Sequence, residues 1–280
     1  MAKKILGIEI GNCRLKIAIC SDYNLERLIT ADLPDNLVQE DEIVSWEAMA
    51  EFIKEVIKEN KISVKNAAVV IPEKLVYTKH VVMPAMTVDQ LKVNLPYEFH
   101  DYIIEDKDKY FYDYAVINKT SDTDGNLTEM ELMAVAAPKE TINQYKTLFR
   151  RAGLRLTLIA PDYSAIRNII KDYEEVNAVK EPGDYAVLDI GHKTVKLYFF
   201  TQGEYEITRV MEAGCEEIDF YIAETRNIEE HIARIYKETN KDDILHDTGC
   251  EEIYSQMAIE VMRVLNFYNF NHPDNRLDAL

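Results

Sequence analysis

Two acidic residues stand in matching surroundings far apart in the chain. Glu9-Ile10-Gly11 ends the apolar run KILGIEIG and Asp189-Ile190-Gly191 ends YAVLDIG, at a constant offset of 180 that also pairs Leu15 with Val195 and Lys16 with Lys196. Apolar strand, acid, Ile, Gly, polar turn and apolar strand therefore occur twice. An acid at the end of a buried strand can hold Mg²⁺ or orient a water, and a glycine turn presents backbone N–H groups to a phosphate. Candidate phosphate contacts are Gly11, Asn12, Cys13 and Lys16 in the first copy, and Asp189, Gly191, Lys193 and Thr194 in the second, with Gly214 in a later close turn. Glu9 and Asp189 are the candidate Mg²⁺ ligands and the candidates for catalysis. A single copy reads as an ordinary glycine turn, but two copies in one register point to a duplicated domain whose halves form a clamp.

Other chemistry finds little support. The six histidines at 80, 100, 192, 231, 246 and 272 lack metal-ligand spacing, and no Ser-His-Asp or Cys-His order suggests a nucleophile. Cysteines 13, 20, 215 and 250 include no CxxC pair and are expected to be reduced thiols.

The elements that must position the two acids follow from patterning. KILGIEIGNCRLKIAIC predicts strand-turn-strand, LERLITA a third strand, and Ser45 caps a helix carrying Trp46, Met49, Phe52, Ile53, Val56 and Ile57 on one stripe to about Asn60. NAAVVI at 66–71 predicts a buried strand. Residues 76–159 read as an inserted small subdomain. Within it, Thr87 to Gln90 has capping-box spacing, Pro96 is expected to kink or shorten the helix, and DTDGN joins strands at 112–118 and 129–138. A helix at 139–152 turns Ile142, Tyr145, Leu148 and Phe149 inward and stops at Gly153. The division is then 1–75 for the first half of domain 1, 76–159 for the insert, 160–183 for a closing helix and linker, and 184–280 for an incomplete domain 2.

GIEIGNCRLKIAI and VLDIGHKTVKLYFF resemble the two phosphate hairpins of the actin-like ATPase superfamily. The blocks VVMPAMTVDQLKVNLPYEFHDYI and AVAAPKETINQYKTLFRRAGLRLTLIAPD resemble the insert of the type IV pilus assembly PilM family, which is related to FtsA. RVMEAGCEEID and SQMAIEVMRVLNFYNF match later segments, so the likeness runs nearly end to end. It implies an α/β, duplicated ribonuclease H-like fold with an inserted small subdomain, and ATP with Mg²⁺ as the cofactors. It also implies a PilN-like inner-membrane partner whose cytoplasmic N-terminal tail docks beside the insert. Met83, Pro84, Met86, Leu91, Leu95 and Phe99 are the candidate groove, since Met-rich and aromatic surfaces suit an apolar peptide, with the alternative that they are the insert's core.

Departures from the family pattern bear on the cofactor. Glu9 stands where the family carries Asp, Cys13 and Arg14 replace hydroxyl side chains, and Cys215 replaces a second glycine after Gly214. No glycine-rich adenosine loop precedes the closing NRLDAL, so the sequence is either a piece of a longer protein or a homologue with a lost nucleotide site, and ATP binding is expected to be weak or vestigial. The alternatives are an active Mg-ATP-dependent ATPase or kinase, or an FtsA-like filament former.

Lys and Arg number 32 against 50 Asp and Glu, giving a net charge of −18, which argues against nucleic acid and bare anionic lipid as partners and favours a basic one. A hydrophobic share of 47% with no run of membrane-spanning length predicts a globular, cytoplasmic protein that reaches the inner face of the membrane through its partner and does not insert. A homodimer is left open.

Overall fold

The computed structural model describes residues 4–22, 24–34, 36–104, 106–272 and 277, so most of the closing NRLDAL lies outside the described residues. Strands β1 (Lys4–Ile10), β2 (Arg14–Ser21) and β3 (Asn24–Asp32) form an antiparallel meander. The two-residue strands β4 (Val38–Gln39) and β5 (Glu42–Ile43) precede α1 (Trp46–Glu59) and β6 (Asn66–Ile71). β7 (Tyr77–Pro84), α2 (Val88–Glu98), β8 (Tyr110–Ser121) and β9 (Leu127–Pro138) come next. α3 (Lys139–Arg151), β10 (Arg155–Pro161) and α4 (Asp162–Val176) follow. The chain continues through β11 (Tyr185–Ile190), β12 (Val195–Thr201), β13 (Glu204–Met211), α5 (Glu216–Arg226), α6 (Glu230–Thr239) and α7 (Thr248–Asn271). Two compact units emerge, Met1–Ala165 and Ile166–Leu280.

The first unit is built on a five-stranded sheet of order β10-β6-β1-β2-β3, in which β6 runs parallel to both β1 and β10. Alternation buries Ala67, Val69 and Ile71 of β6 with Leu6, Ile8, Leu15 and Ile17. α1 lays Met49, Ile53, Val56 and Ile57 on this core, and its cap is as the sequence predicts, with Ser45 Oγ accepting from the Ala48 N–H at 3.4 Å. α3 adds Ile142, Tyr145, Leu148 and Phe149, and Trp46 meets Tyr145 edge-on at 5.1 Å. Gly153 ends α3 at φ 77°, the left-handed conformation expected of it.

The insert is a three-stranded sheet, β7-β9-β8, with α2 on one face. Thr87 and Gln90 complete the capping box, and α2 runs on to Glu98, so Pro96 lies in its last turn and neither ends nor shortens it by more than that. Of the two readings open for the candidate groove residues, the core holds for four. Met83, Leu91, Leu95 and Phe99 are 0–5% exposed and pack on Val81, Leu132, Ala134 and Ala136, so they are the insert's core and present no surface to a peptide. The period that brings Leu91, Leu95 and Phe99 onto one helix face serves the sheet beneath it. Pro84 is exposed and Met86 is partly so.

The second unit has the sheet β11-β12-β13. Its middle strand is buried on both faces from Leu197 to Phe200, which explains its continuous apolar run. α7 places Met257, Val261 and Tyr268 on it, with Tyr268 stacked on Phe199 at 3.8 Å. A separate cluster of Ile218, Ile222, Ala233, Ile244 and Cys250 joins α5, α6 and the start of α7.

Candidate functional site

The repeated motif is a repeated geometry. Glu9 pairs across its hairpin with Lys16 and Asp189 with Lys196, and Ile10 and Ile190 pair with Leu15 and Val195. Each turn closes alike, the Gly11 N–H donating to Arg14 O and the Gly191 N–H to Thr194 O, both at 2.9 Å. That closure brings a carbonyl against the glycine. A Cβ at Gly11 would lie 3.1 Å from Arg14 O, and one at Gly191 2.7 Å from Thr194 O.

The side chains of the first turn are tied to the unit's own acids. Lys16 Nζ donates to Glu9 Oε1 at 2.9 Å, with both groups about half exposed, and Arg14 Nε donates to Asp32 Oδ1 at 2.9 Å. Asn12 is held at both ends, its Nδ2 donating to Asp41 Oδ1 at 2.6 Å and its Oδ1 accepting from the Asp41 N–H at 3.0 Å. Cys13 O accepts from the Leu33 N–H at 2.9 Å. Asn12 thereby clamps the two-residue turn between β4 and β5, where Glu40 and Asp41 both adopt positive φ, 48° and 62°. Such a turn favours glycine or asparagine, so Asn12, together with Lys74 bonded to Glu40 O, holds a conformation its own residues resist.

The second turn is covered by the segment entering α5. Gly191 O accepts from the Cys215 N–H at 3.0 Å and His192 O from the Glu216 N–H at 2.8 Å. Gly214 permits the approach, because a Cβ there would be 2.2 Å from His192 O and 2.5 Å from the carbonyl carbons of His192 and Lys193. Cys215 sits at φ −68° and ψ −4°, ordinary right-handed backbone, so no second glycine is required. Burial pushes its thiol above the ordinary value, Lys237 pulling the other way, which leaves it a poor nucleophile.

Beneath this turn lies a feature that spacing does not reveal. Asp219 is 2% exposed, and its Oδ2 accepts from Lys237 Nζ at 2.7 Å, while Lys237 also donates to Cys215 O at 2.9 Å. His192 Nδ1 and Arg234 Nε stand 3.7 and 3.9 Å from the same carboxylate. Glu216 faces His192 at 3.5 Å and Lys193 at 3.8 Å. The cations around the turn are therefore answered by carboxylates of α5, whose first turn also carries Glu217. Carboxylates in the first turn of a helix are favoured by its N-terminal partial charge. The one hint in the sequence is that Asp219 adjoins Ile218 on the buried side of its helix, but its partner comes from another helix.

Placed residue by residue, Gly11, Asn12, Cys13, Lys16 and Glu9 gather at the first turn, and Asp189, Gly191, Lys193, Thr194 and Gly214 at the second, in different units. Among the described residues no group of three or more His, Cys, Asp or Glu is disposed to hold a metal, and no helix is long and apolar enough to cross a membrane.

Known proteins with this architecture agree on the fold. A type IV pilus biogenesis complex of PilM with PilN has a chain matching at TM-score 0.72 and 20% identity, over 96% of this chain and 79% of that one. The ethanolamine utilization protein EutJ from Carboxydothermus hydrogenoformans matches at TM-score 0.58 and 12% identity, over 96% and 73%. The fold is actin-like, as the duplicated hairpin implies. The family model of type IV pilus assembly protein PilM matches residues 7–280. The chain belongs to the type IV pilus assembly protein PilM family.

Proposed function

We propose that this actin-like pilus assembly protein works as a cytoplasmic scaffold that captures the N-terminal tail of a PilN-like inner-membrane protein, with ATP and Mg²⁺ binding weak or vestigial. One observation carries the second half of this reading. The polar groups around both hairpin turns are bonded to the protein's own acids and carbonyls: Lys16 to Glu9, Asn12 to Asp41, and the first N–H groups of α5 to the carbonyls of Gly191 and His192. A phosphate at Gly11, Asn12, Cys13 and Lys16 must displace the bonds of the first turn, and one at Asp189, Gly191, Lys193, Thr194 and Gly214 must displace those of the second beside the carboxylates of Glu216 and Glu217. Mg²⁺ at Glu9 must likewise compete with Lys16.

The solved PilM–PilN complex supports a PilN-like partner, and the net charge of −18 suits the basic juxtamembrane tail proposed for it. With Leu91, Leu95 and Phe99 buried, the tail docks on the outward side of α2 and the chain leading into it, where Pro84 and Met86 are accessible and Val88, Val93 and Tyr97 are 58–64% exposed. Of the bounds read from sequence, 1–75, 76–159, 160–183 and 184–280, the working division keeps all but the end of the insert, which moves to about Pro138 because α3 and β10 belong to the core and sheet of the first unit.

The test is calorimetric titration with Mg-ATP and, separately, with a synthetic peptide of the cytoplasmic tail of the PilN-like protein from the same organism. The expected outcome is tail binding that Val93→Asp abolishes, with Mg-ATP binding absent or in the millimolar range. Tight Mg-ATP binding or turnover that Asp189→Ala removes overturns the vestigial reading, and a tail that binds Val93→Asp equally well overturns the docking face.

A further inference from the structure

The second unit carries a concave surface that neither the hairpins nor the insert uses. α5 ends at Asn227 in the left-handed conformation, φ 52°, and the chain reverses at once, the Ile228 N–H donating to Ala223 O at 3.0 Å before α6 begins. This tight return leaves an open groove of about 770 Å³ between the end of α5 and the start of α6. Its floor is apolar, formed by Phe220, 45% exposed, with Ile228 and Ile232. Its rim is acidic, formed by Glu224, Glu229 and Glu230.

The rim differs from the acids a few residues earlier. Asp219 and Glu216 on the same helix are matched by Lys237, Arg234, His192 and Lys193, whereas Glu224, Glu229 and Glu230 are exposed and none forms an ion pair among the described residues. Three carboxylates without an ion-pair partner around an exposed phenyl ring favour a ligand that is both cationic and apolar. The ring and the two isoleucines gain from covering by aliphatic side chains, and the carboxylates gain from ammonium or guanidinium groups reaching past them. A bare cation would leave the floor wet, and an acidic or purely apolar segment would meet repulsion or bury unpaired charge.

We infer that this groove is a second docking surface, which takes a short amphipathic segment of a partner protein carrying one apolar face flanked by Lys or Arg. It lies in the second unit and does not rest on tail docking at α2.

The experiment uses the whole protein with its isoleucine methyl groups labelled for NMR, and a synthetic amphipathic Leu/Lys peptide as the probe. Addition of the peptide is expected to shift the Ile228 and Ile232 methyls and leave those buried in the first-unit core, such as Ile53, in place. The double variant Glu229→Lys, Glu230→Lys is expected to weaken binding by about tenfold or more, and Phe220→Ala by a comparable factor, at unchanged spectra elsewhere. Glu55→Lys with Glu59→Lys, exposed acids of α1, changes net charge by the same amount and is expected to leave the affinity unchanged. Equal weakening by both charge-reversed pairs, or peptide shifts that spare Ile228 and Ile232, overturns the inference. A version of the peptide with every Lys replaced by Glu is expected not to bind, and binding by it overturns the inference as well.

Discussion

Alanine at Gly214 is the sharpest test of how the second hairpin is covered. The new methyl group would start 2.2 Å from His192 O and 2.5 Å from two carbonyl carbons, all backbone, so no side chain can swing aside to admit it. Relief requires the segment entering α5 to lift off the turn, which breaks the bonds from the Cys215 N–H at 3.0 Å and the Glu216 N–H at 2.8 Å. Two net hydrogen bonds at about 1 kcal/mol each and an overpacking cost of about 1–3 kcal/mol give roughly 3–5 kcal/mol, less a few tenths for the stiffer unfolded chain. The paired glycines calibrate this. Alanine at Gly191 meets one carbonyl oxygen at 2.7 Å and should cost less, and alanine at Gly11 meets one at 3.1 Å, so a shift of a few tenths of an ångström suffices. None of the three glycines has left-handed backbone, so the series isolates steric contact. Urea unfolding followed by far-UV circular dichroism should rank the losses Gly214 above Gly191 above Gly11, with amide exchange at Cys215 and Glu216 speeding up in the Gly214 variant. A Gly214→Ala protein as stable as Gly11→Ala would refute the covered turn.

Two further predictions concern buried titratable groups. Burial pushes the Tyr145 phenol up to about 12, so the unfolded chain gives up that proton near pH 10 while the folded chain keeps it. The associated stability is complete below about pH 10 and disappears as pH rises through about 12, amounting to about 2–3 kcal/mol. Tyr145→Phe should lose less stability than the parent between about pH 9 and 11.5, read from urea midpoints because 17 tyrosines mask any single one in absorbance; equal losses would contradict it. Asp219→Ala strips Lys237 of its buried partner and should cost about 3–5 kcal/mol by thermal or urea unfolding, against under about 0.5 kcal/mol for Lys54→Ala, whose pair with Glu51 is exposed. Similar values for the two would mean that Asp219 is not the keystone of its cluster.

Much of this was legible in the sequence because it is local. The offset between Glu9 and Asp189 fixed the hairpin register, the spacing of Met49, Ile53 and Val56 fixed the buried face of α1, and Gly153 marked the end of α3. The pattern marks β7 and β13 poorly, since Tyr77–Pro84 mixes polar and apolar residues and Glu204–Met211 carries three charged side chains. At the site, the acid and glycine positions were visible, but the groups that answer them were not. Asn12 meets Asp41 across 29 residues, and Asp219 meets Lys237 from a neighbouring helix. Such pairings depend on how elements pack and leave no periodicity behind. The same limit explains Leu95 and Phe99, for which one apolar stripe describes a core and a groove equally well until the sheet beneath is seen.

The small hairpin of β4 and β5 has a consequence for the order of folding. Two strands of two residues each, joined through Glu40 and Asp41 in a left-handed turn, cannot persist alone. The groups that hold it, Asn12 and Lys74, lie on either side of it in sequence. Asn12 is in position once β1 and β2 have met, an early local event, but Lys74 arrives only after α1 has packed and β6 has joined β1 across the sheet. The turn at 40 and 41 is therefore expected to form late, and substitutions there are expected to quicken unfolding while leaving the folding rate nearly untouched, which stopped-flow folding and unfolding rates would check.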